Sequence, residues 1–169
     1  MARLVAPIVA LALMTACGER KTERTVTTAD GSTVKIEQRG DGDNAKITAT
    51  SKDGSEKAAF SAGEGKWPDN PAPYAPPYPG AEIKGSMGGT SADGAGSIVT
   101  FTTGDSPDAV LAFYKSRAQA AGLDKISTMD IDGAKMFSAS DAGGARSIAV
   151  QTSIADGKTT AVVTSGSKK

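Results

Sequence analysis

The clearest pattern along the chain begins at residue 97. Ser97-Ile98-Val99-Thr100-Phe101-Thr102-Thr103 alternates with period two and reads as a strand. Gly104-Asp105-Ser106-Pro107-Asp108 then predicts a helix start. Ser106 suits the N-cap, Pro107 the first helical position and Asp108 the positive end of the helix dipole. Val110, Leu111, Tyr114, Ala118 and Ala121 fall on one face, with Phe113 at its border, and Gly122 ends the helix. The spacing therefore predicts a helix over about residues 107–121. Four strands follow: Lys125–Ile131, Ala134–Ser140, Arg146–Ser153 and Thr159–Ser165. Asp132-Gly133 and Asp156-Gly157 predict tight hairpins, and Ala142-Gly143-Gly144 a looser turn. The order predicts an α+β fold, one helix packed on an antiparallel C-terminal sheet. The expected partners of the helix are Val99, Phe101, Met136 or Phe137, Val150 and Val163.

Upstream the pattern is thinner. Residues 26–62 alternate between Asp-Gly turns and predict a β meander, with Val26, Val34, Ile36, Ile47, Ala49 and Phe60 facing inward. So small a core is marginal alone, so the meander is expected to lean on the C-terminal domain or form a mobile sheet. Six of the eight prolines crowd into residues 68–79, which predicts an extended linker without helix. Trp67, Tyr74 and Tyr78 interleave with them. They are candidate contacts for a partner protein, or staples holding the linker to the neighbouring sheet. Large aromatics are scarce in this chain, which favours the staple. Residues 81–96 are rich in Gly and Ser and read as a flexible loop. The whole region 63–96 is thus expected to be linker and loop ahead of a domain at 97–167.

The first residues have another character. Arg3 is the only charge before Glu19, and Leu4 to Ala16 is a short apolar run. That is a signal-peptide pattern, too short for a stable membrane span of about 20 residues. The run stops at Met14-Thr15-Ala16-Cys17. This tetrad resembles a bacterial lipobox, with Met14 where Leu is usual. The resemblance implies cleavage before Cys17, a diacylglyceryl thioether on its sulfur and acylation of the new amino group, as with palmitate. A thiolate is the side-chain nucleophile suited to that alkyl transfer. Two or three acyl chains at about 0.8 kcal/mol per buried methylene hold durably, where one does not. Residues 17–25 then read as a charged, lipidated tether. Gly18, in place of the Asp that favours inner-membrane retention, points to the outer membrane, facing the periplasm.

Composition narrows the chemistry. The chain has 169 residues, 19 basic and 19 acidic side chains, one Cys and no His. Histidine-dependent catalysis and imidazole metal sites are excluded. A neutral surface argues against nucleic acid. If Cys17 carries lipid, the folded part has no free thiol either, and Arg3 leaves with the signal, giving net −1. No metal or cofactor is implied.

Local motifs add little. Gly157-Lys158-Thr159 ends like a phosphate loop but lacks its first glycine, since Thr152 stands there. Asp41-Gly42-Asp43-Asn44 hints at a weak calcium site, yet Lys46 and Lys52 stand where that loop needs Gly and Glu. Ser32 and Lys35 mimic an acyl-serine dyad, but three residues apart on a strand they face opposite ways. Asp130 and Asp132 share a strand face, although Asp132 sits where a hairpin turn wants Asp.

Pro77-Tyr78-Pro79-Gly80-Ala81, Val99-Thr100-Phe101-Thr102-Thr103-Gly104-Asp105-Ser106-Pro107, Phe113-Tyr114-Lys115 and Ala121-Gly122-Leu123 together resemble a widespread set of uncharacterised bacterial envelope lipoproteins. The resemblance covers roughly residues 76–165 and carries no catalytic residues with it. The expectation is a non-enzymatic, lipid-anchored envelope protein that binds another envelope component. The alternative is a small-molecule or weak metal-binding module, using the Gly40–Asn44 loop or residues 85–96.

Overall fold

The computed structural model describes residues 21–39, 44–62, 65–68 and 71–169. The signal segment, Cys17, residues 18–20 and Gly40–Asp43 lie outside the described residues. The elements are β1 (Lys21–Thr27), β2 (Thr33–Arg39), β3 (Asn44–Thr50), β4 (Lys57–Ala62), β5 (Glu82–Ser91), β6 (Gly94–Thr103), α1 (Pro107–Ala120), β7 (Lys125–Ile131), β8 (Ala134–Ser140), β9 (Arg146–Ala155) and β10 (Lys158–Lys168). All ten strands join in one antiparallel sheet, ordered β1-β2-β3-β4-β5-β6-β10-β9-β8-β7. The fold is α+β, with one helix packed on that sheet.

The helix forms where capping chemistry places it. Ser106 accepts from the Ala109 N–H at 3.3 Å, and Pro107 occupies the first turn. At the other end Gly122 takes φ +74°. Leu123 N–H then bonds to Ala118 O and Gly122 N–H to Gln119 O, the paired closure of a Schellman motif. Val110, Tyr114 and Ala118 are buried against β8, β9 and β10. Their partners are Phe101, Phe137, Ile148, Val150, Ala161 and Val163. Between the two candidates on β8, Phe137 is the buried residue and Met136 faces out, because successive strand residues alternate faces. Asp132-Gly133 and Asp156-Gly157 both have two positive φ values, as a type I′ hairpin turn requires.

Three expectations change. The supposed loop over residues 81–96 is a hairpin made of β5 and the start of β6. Backbone pairing needs no side chains, and its glycines lie where other backbone crowds in. A Cβ on Gly89 would stand 3.0 Å from Lys57 O. Consequently the antiparallel meander of β1–β4 continues the C-terminal sheet, because β4 pairs with β5. The charged segment 21–25 is likewise strand, paired to β2 over its length.

The third change concerns the inward face. Val26, Val34, Ile36, Ile47, Ala49 and Phe60 do share one face, but it is the face away from α1. Val26, Ile36, Ile47 and Phe60 are exposed, Phe60 by 43%. Alternation fixes which residues sit together; what covers them is decided by elements far away in sequence. Here both α1 and the proline-rich segment lie on the opposite, inner face.

Candidate functional site

The proline-rich chain between β4 and β5 crosses the inner face as a strap, and three tyrosine hydroxyls tie it down. Tyr74 Oη donates to Gly166 O at 2.7 Å, Tyr78 Oη to Asp105 Oδ2 at 2.7 Å, and Tyr114 Oη, from α1, to Pro76 O at 3.2 Å. The Tyr78 ring stacks on Phe101 at 5.5 Å and meets Phe113 edge-on at 5.1 Å, while Trp67 tilts against Phe101 at 6.1 Å. Tyr74 and Tyr78 are 2% and 7% exposed. They are core staples and present little surface to a partner protein. Burial pushes the Tyr78 phenol up to about 12, helped by the Asp105 carboxylate that holds its proton, and raises Tyr74 and Tyr114 as well.

At its N-terminal end the strap roofs a groove of about 670 Å³. The floor is the inner face of β3–β6 and β10: Ala59, Ser61, Ser86, Gly88, Ser97 and Ser165. Trp67, Pro68, Pro71, Pro73 and Tyr74 form the roof and wall. Small floor residues create the space. A Cβ on Gly88 would sit 3.4 Å from Pro68, so a larger side chain there meets the strap directly. Ser86 Oγ donates to Lys66 O at 2.8 Å and fixes the strap's entry.

The groove is rich in donors. The buried Trp67 Nε1 has no hydrogen-bond partner among the described residues. An unmet buried donor costs about 1–3 kcal/mol. Lys46, Lys57, Lys66 and Arg146 line the groove against one acid, Glu37. Glu37 is already engaged: Lys35 Nζ lies 3.0 Å away and holds its carboxyl below the usual range. Arg146 bonds Asp141 at 3.0 Å, whereas Lys46, Lys57 and Lys66 make no ion pair among the described residues. Apolar walls, an indole donor and surplus cations suit a small amphiphile bearing an acceptor or anionic group.

The other candidates do not assemble. Ser32 sits in a turn bonded to Asp30, while Lys35 pairs with Glu23 and Glu37. Asp132 occupies its hairpin turn, and Asp130 lies 3.8 Å from Lys135. Gly157-Lys158 is a hairpin too. No cluster of three or more His, Cys, Asp or Glu able to hold a metal occurs among the described residues. Among those residues no helix is long and apolar enough to cross a membrane.

Residues 83–164 are similar to the START domain-like family. The START-like stretch opens inside β5 and closes inside β10, so it contains α1 and half of the groove floor. The strap and β1–β4 fall outside it. No curated protein and no solved structure gives a significant match.

Lys46, Lys57, Lys66, Ser86 and Gly88 were not legible as site residues. They come from β3, β4, the strap and β5, and no local motif joins them. One signal was available: the Gly/Ser run at 85–96, whose lack of bulk makes room beneath the strap.

Proposed function

We propose that the protein is a bacterial lipoprotein, anchored by acyl chains on Cys17 at the outer membrane, whose folded part binds a small amphiphile without transforming it. The anchor rests on Met14-Thr15-Ala16-Cys17 and on the envelope-lipoprotein resemblance of residues 76–165. The binding role rests on one observation above all: a roofed groove whose roof residue Trp67 has an indole N–H without a hydrogen-bond partner among the described residues. Unpaired lysines at its walls favour an anionic group on the ligand, and the prolines and aromatic rings of the strap favour an apolar body.

Two measurements test this. Replacing Cys17 with Ser is expected to abolish incorporation of labelled palmitate and normal maturation; unchanged labelling refutes the anchor. Native mass spectrometry of the folded chain from envelope extracts is expected to show a bound small molecule. Lys46→Ala/Lys57→Ala/Lys66→Ala is expected to lose it while keeping the wild-type circular dichroism. A bare chain mass in both preparations removes the ligand reading.

A further inference from the structure

The face of the sheet away from the strap and α1 carries its own pattern. Ile36, Ile47, Phe60, Met87 and Ile98 are direct cross-strand neighbours on β2, β3, β4, β5 and β6. They form one continuous row, each between 36% and 49% exposed. Val26 extends it toward the β1 edge. An open antiparallel sheet normally turns polar residues to water, and a contiguous apolar patch marks an interaction surface.

Charge is segregated to match. On β1–β4, Lys21, Glu23, Lys35, Glu37, Lys46 and Lys57 all take inner-face register positions. On these four strands Arg24 is the one charged residue placed on the outer face, in line with Ile36, and it makes no ion pair among the described residues; on β5 Glu82 shares that face, across from Thr102, and is paired with Lys84 and Lys158.

The anchor supplies the geometry. Residues 18–20 are all that separate Cys17 from Lys21 at the start of β1. Four residue steps reach at most about 14 Å. A lipid on Cys17 therefore holds the β1 edge against the headgroup layer, and one broad face of the sheet must turn toward it. The inner face would desolvate its ion pairs and close the groove. The outer face offers aliphatic and aromatic side chains plus one unpaired cation, its acid Glu82 being neutralised by Lys84 and Lys158 beyond the apolar row, the composition of an interfacial membrane surface.

We infer that the outer face of β1–β6 lies on the bilayer surface, with Phe60, Met87 and their row at the acyl boundary and Arg24 among anionic headgroups. This rests on the reading that Cys17 is lipidated. A second copy is the competing occupant, but it would bring a second Arg24 to the same apolar row. A membrane containing anionic lipid complements both features. The groove is then held open to the periplasm on the opposite side.

The test uses the lipidated full-length product in vesicles of phosphatidylethanolamine and phosphatidylglycerol. An environment-sensitive nitrobenzoxadiazole label goes on Met87→Cys, or on Thr48→Cys as the opposite-face control, with circular dichroism checking the fold. Label at position 87 is expected to shift to the blue and to be quenched by brominated acyl chains several-fold more than label at 48. Equal quenching at both positions overturns the inference. Label at 87 that is shielded from water yet unquenched by brominated lipid assigns the face to a second copy and also overturns it. A purified chain whose mass carries no lipid overturns the anchor and this inference together. A lipid-bearing chain with position 87 in water overturns this inference alone.

Discussion

Removing one hydroxyl from the strap gives a sharp test of how the groove is roofed. In Tyr78→Phe the ring can keep its stacking on Phe101, but the 2.7 Å bond to Asp105 is lost. Asp105 is exposed and can turn to water, so the cost at neutral pH is about 1–2 kcal/mol. The pH dependence is more telling. The free phenol titrates at 10.0, whereas in the folded chain burial and the Asp105 carboxylate push it up to about 12. Between those values the unfolded chain has lost this proton and the native chain still holds it. Native protein then binds more protons, so stability falls as pH rises. At 1.36 kcal/mol per unit, the loss is about 2 kcal/mol at pH 12, where the native phenol is half ionised. The contribution is fully present below pH 10. Urea unfolding of both chains from pH 7 to 12 measures it, with the slope m checked for constancy. Tyr74 and the lysines cancel in the difference, and Tyr114 cancels except for the part of its upward shift that comes from Tyr78. Wild type is expected to be the more stable at pH 7 and to lose that advantage by pH 12. A difference that stays constant across the range refutes a buried, hydrogen-bonded Tyr78.

Three further outcomes follow from the same packing. Asp141 lies below its ordinary 3.8, first because of its hydrogen bond from Arg146 and then through backbone N–H groups. Its contribution is present above pH 3.8 and lost as pH falls below it, so the stability gap between wild type and Asp141→Asn is expected to close on acidification, read by urea midpoints. Gly94→Ala would drive a Cβ into the Ser167 carbonyl at a φ of +155°, whereas Gly133, also at positive φ, has open space. Thermal melts are expected to place Gly94→Ala about 2–4 kcal/mol below wild type and Gly133→Ala about 1 kcal/mol below. Phe101 is fully buried under both Trp67 and Tyr78. Phe101→Ala is expected to cost about 3–5 kcal/mol and to shift Trp67 emission to the red as the strap loosens.

How far these features could be read in advance depended on their range. The Ser106 cap, the Gly122 closure and the two Asp-Gly hairpins are set within a few residues, and the structure places them where the pattern did. The identity of the covered face is not local. Ile36, Ile47 and Phe60 alternate as a core face would, but the strap that supplies cover crosses on the side of Ser61 and Ser86. The hairpin at 82–103 was hidden for a related reason. Strand propensity counts bulk, and Gly85, Gly88, Gly89 and Gly96 have none, although each stands in a fully paired ladder. The groove is the product of both effects, a strap of prolines above a floor of small residues.

The most direct test of the ligand-binding account uses Trp67, the single tryptophan of the chain. Its indole lies in the roof of the groove with its N–H unmet among the described residues, so its emission reports occupancy. Titration with decyl phosphate, decanol and decyltrimethylammonium separates apolar filling from charge. The account predicts a saturable one-to-one change with decyl phosphate, a response at least about tenfold weaker with decanol, and none with the cation. No saturable change with any of the three, or the same response to all, would contradict it.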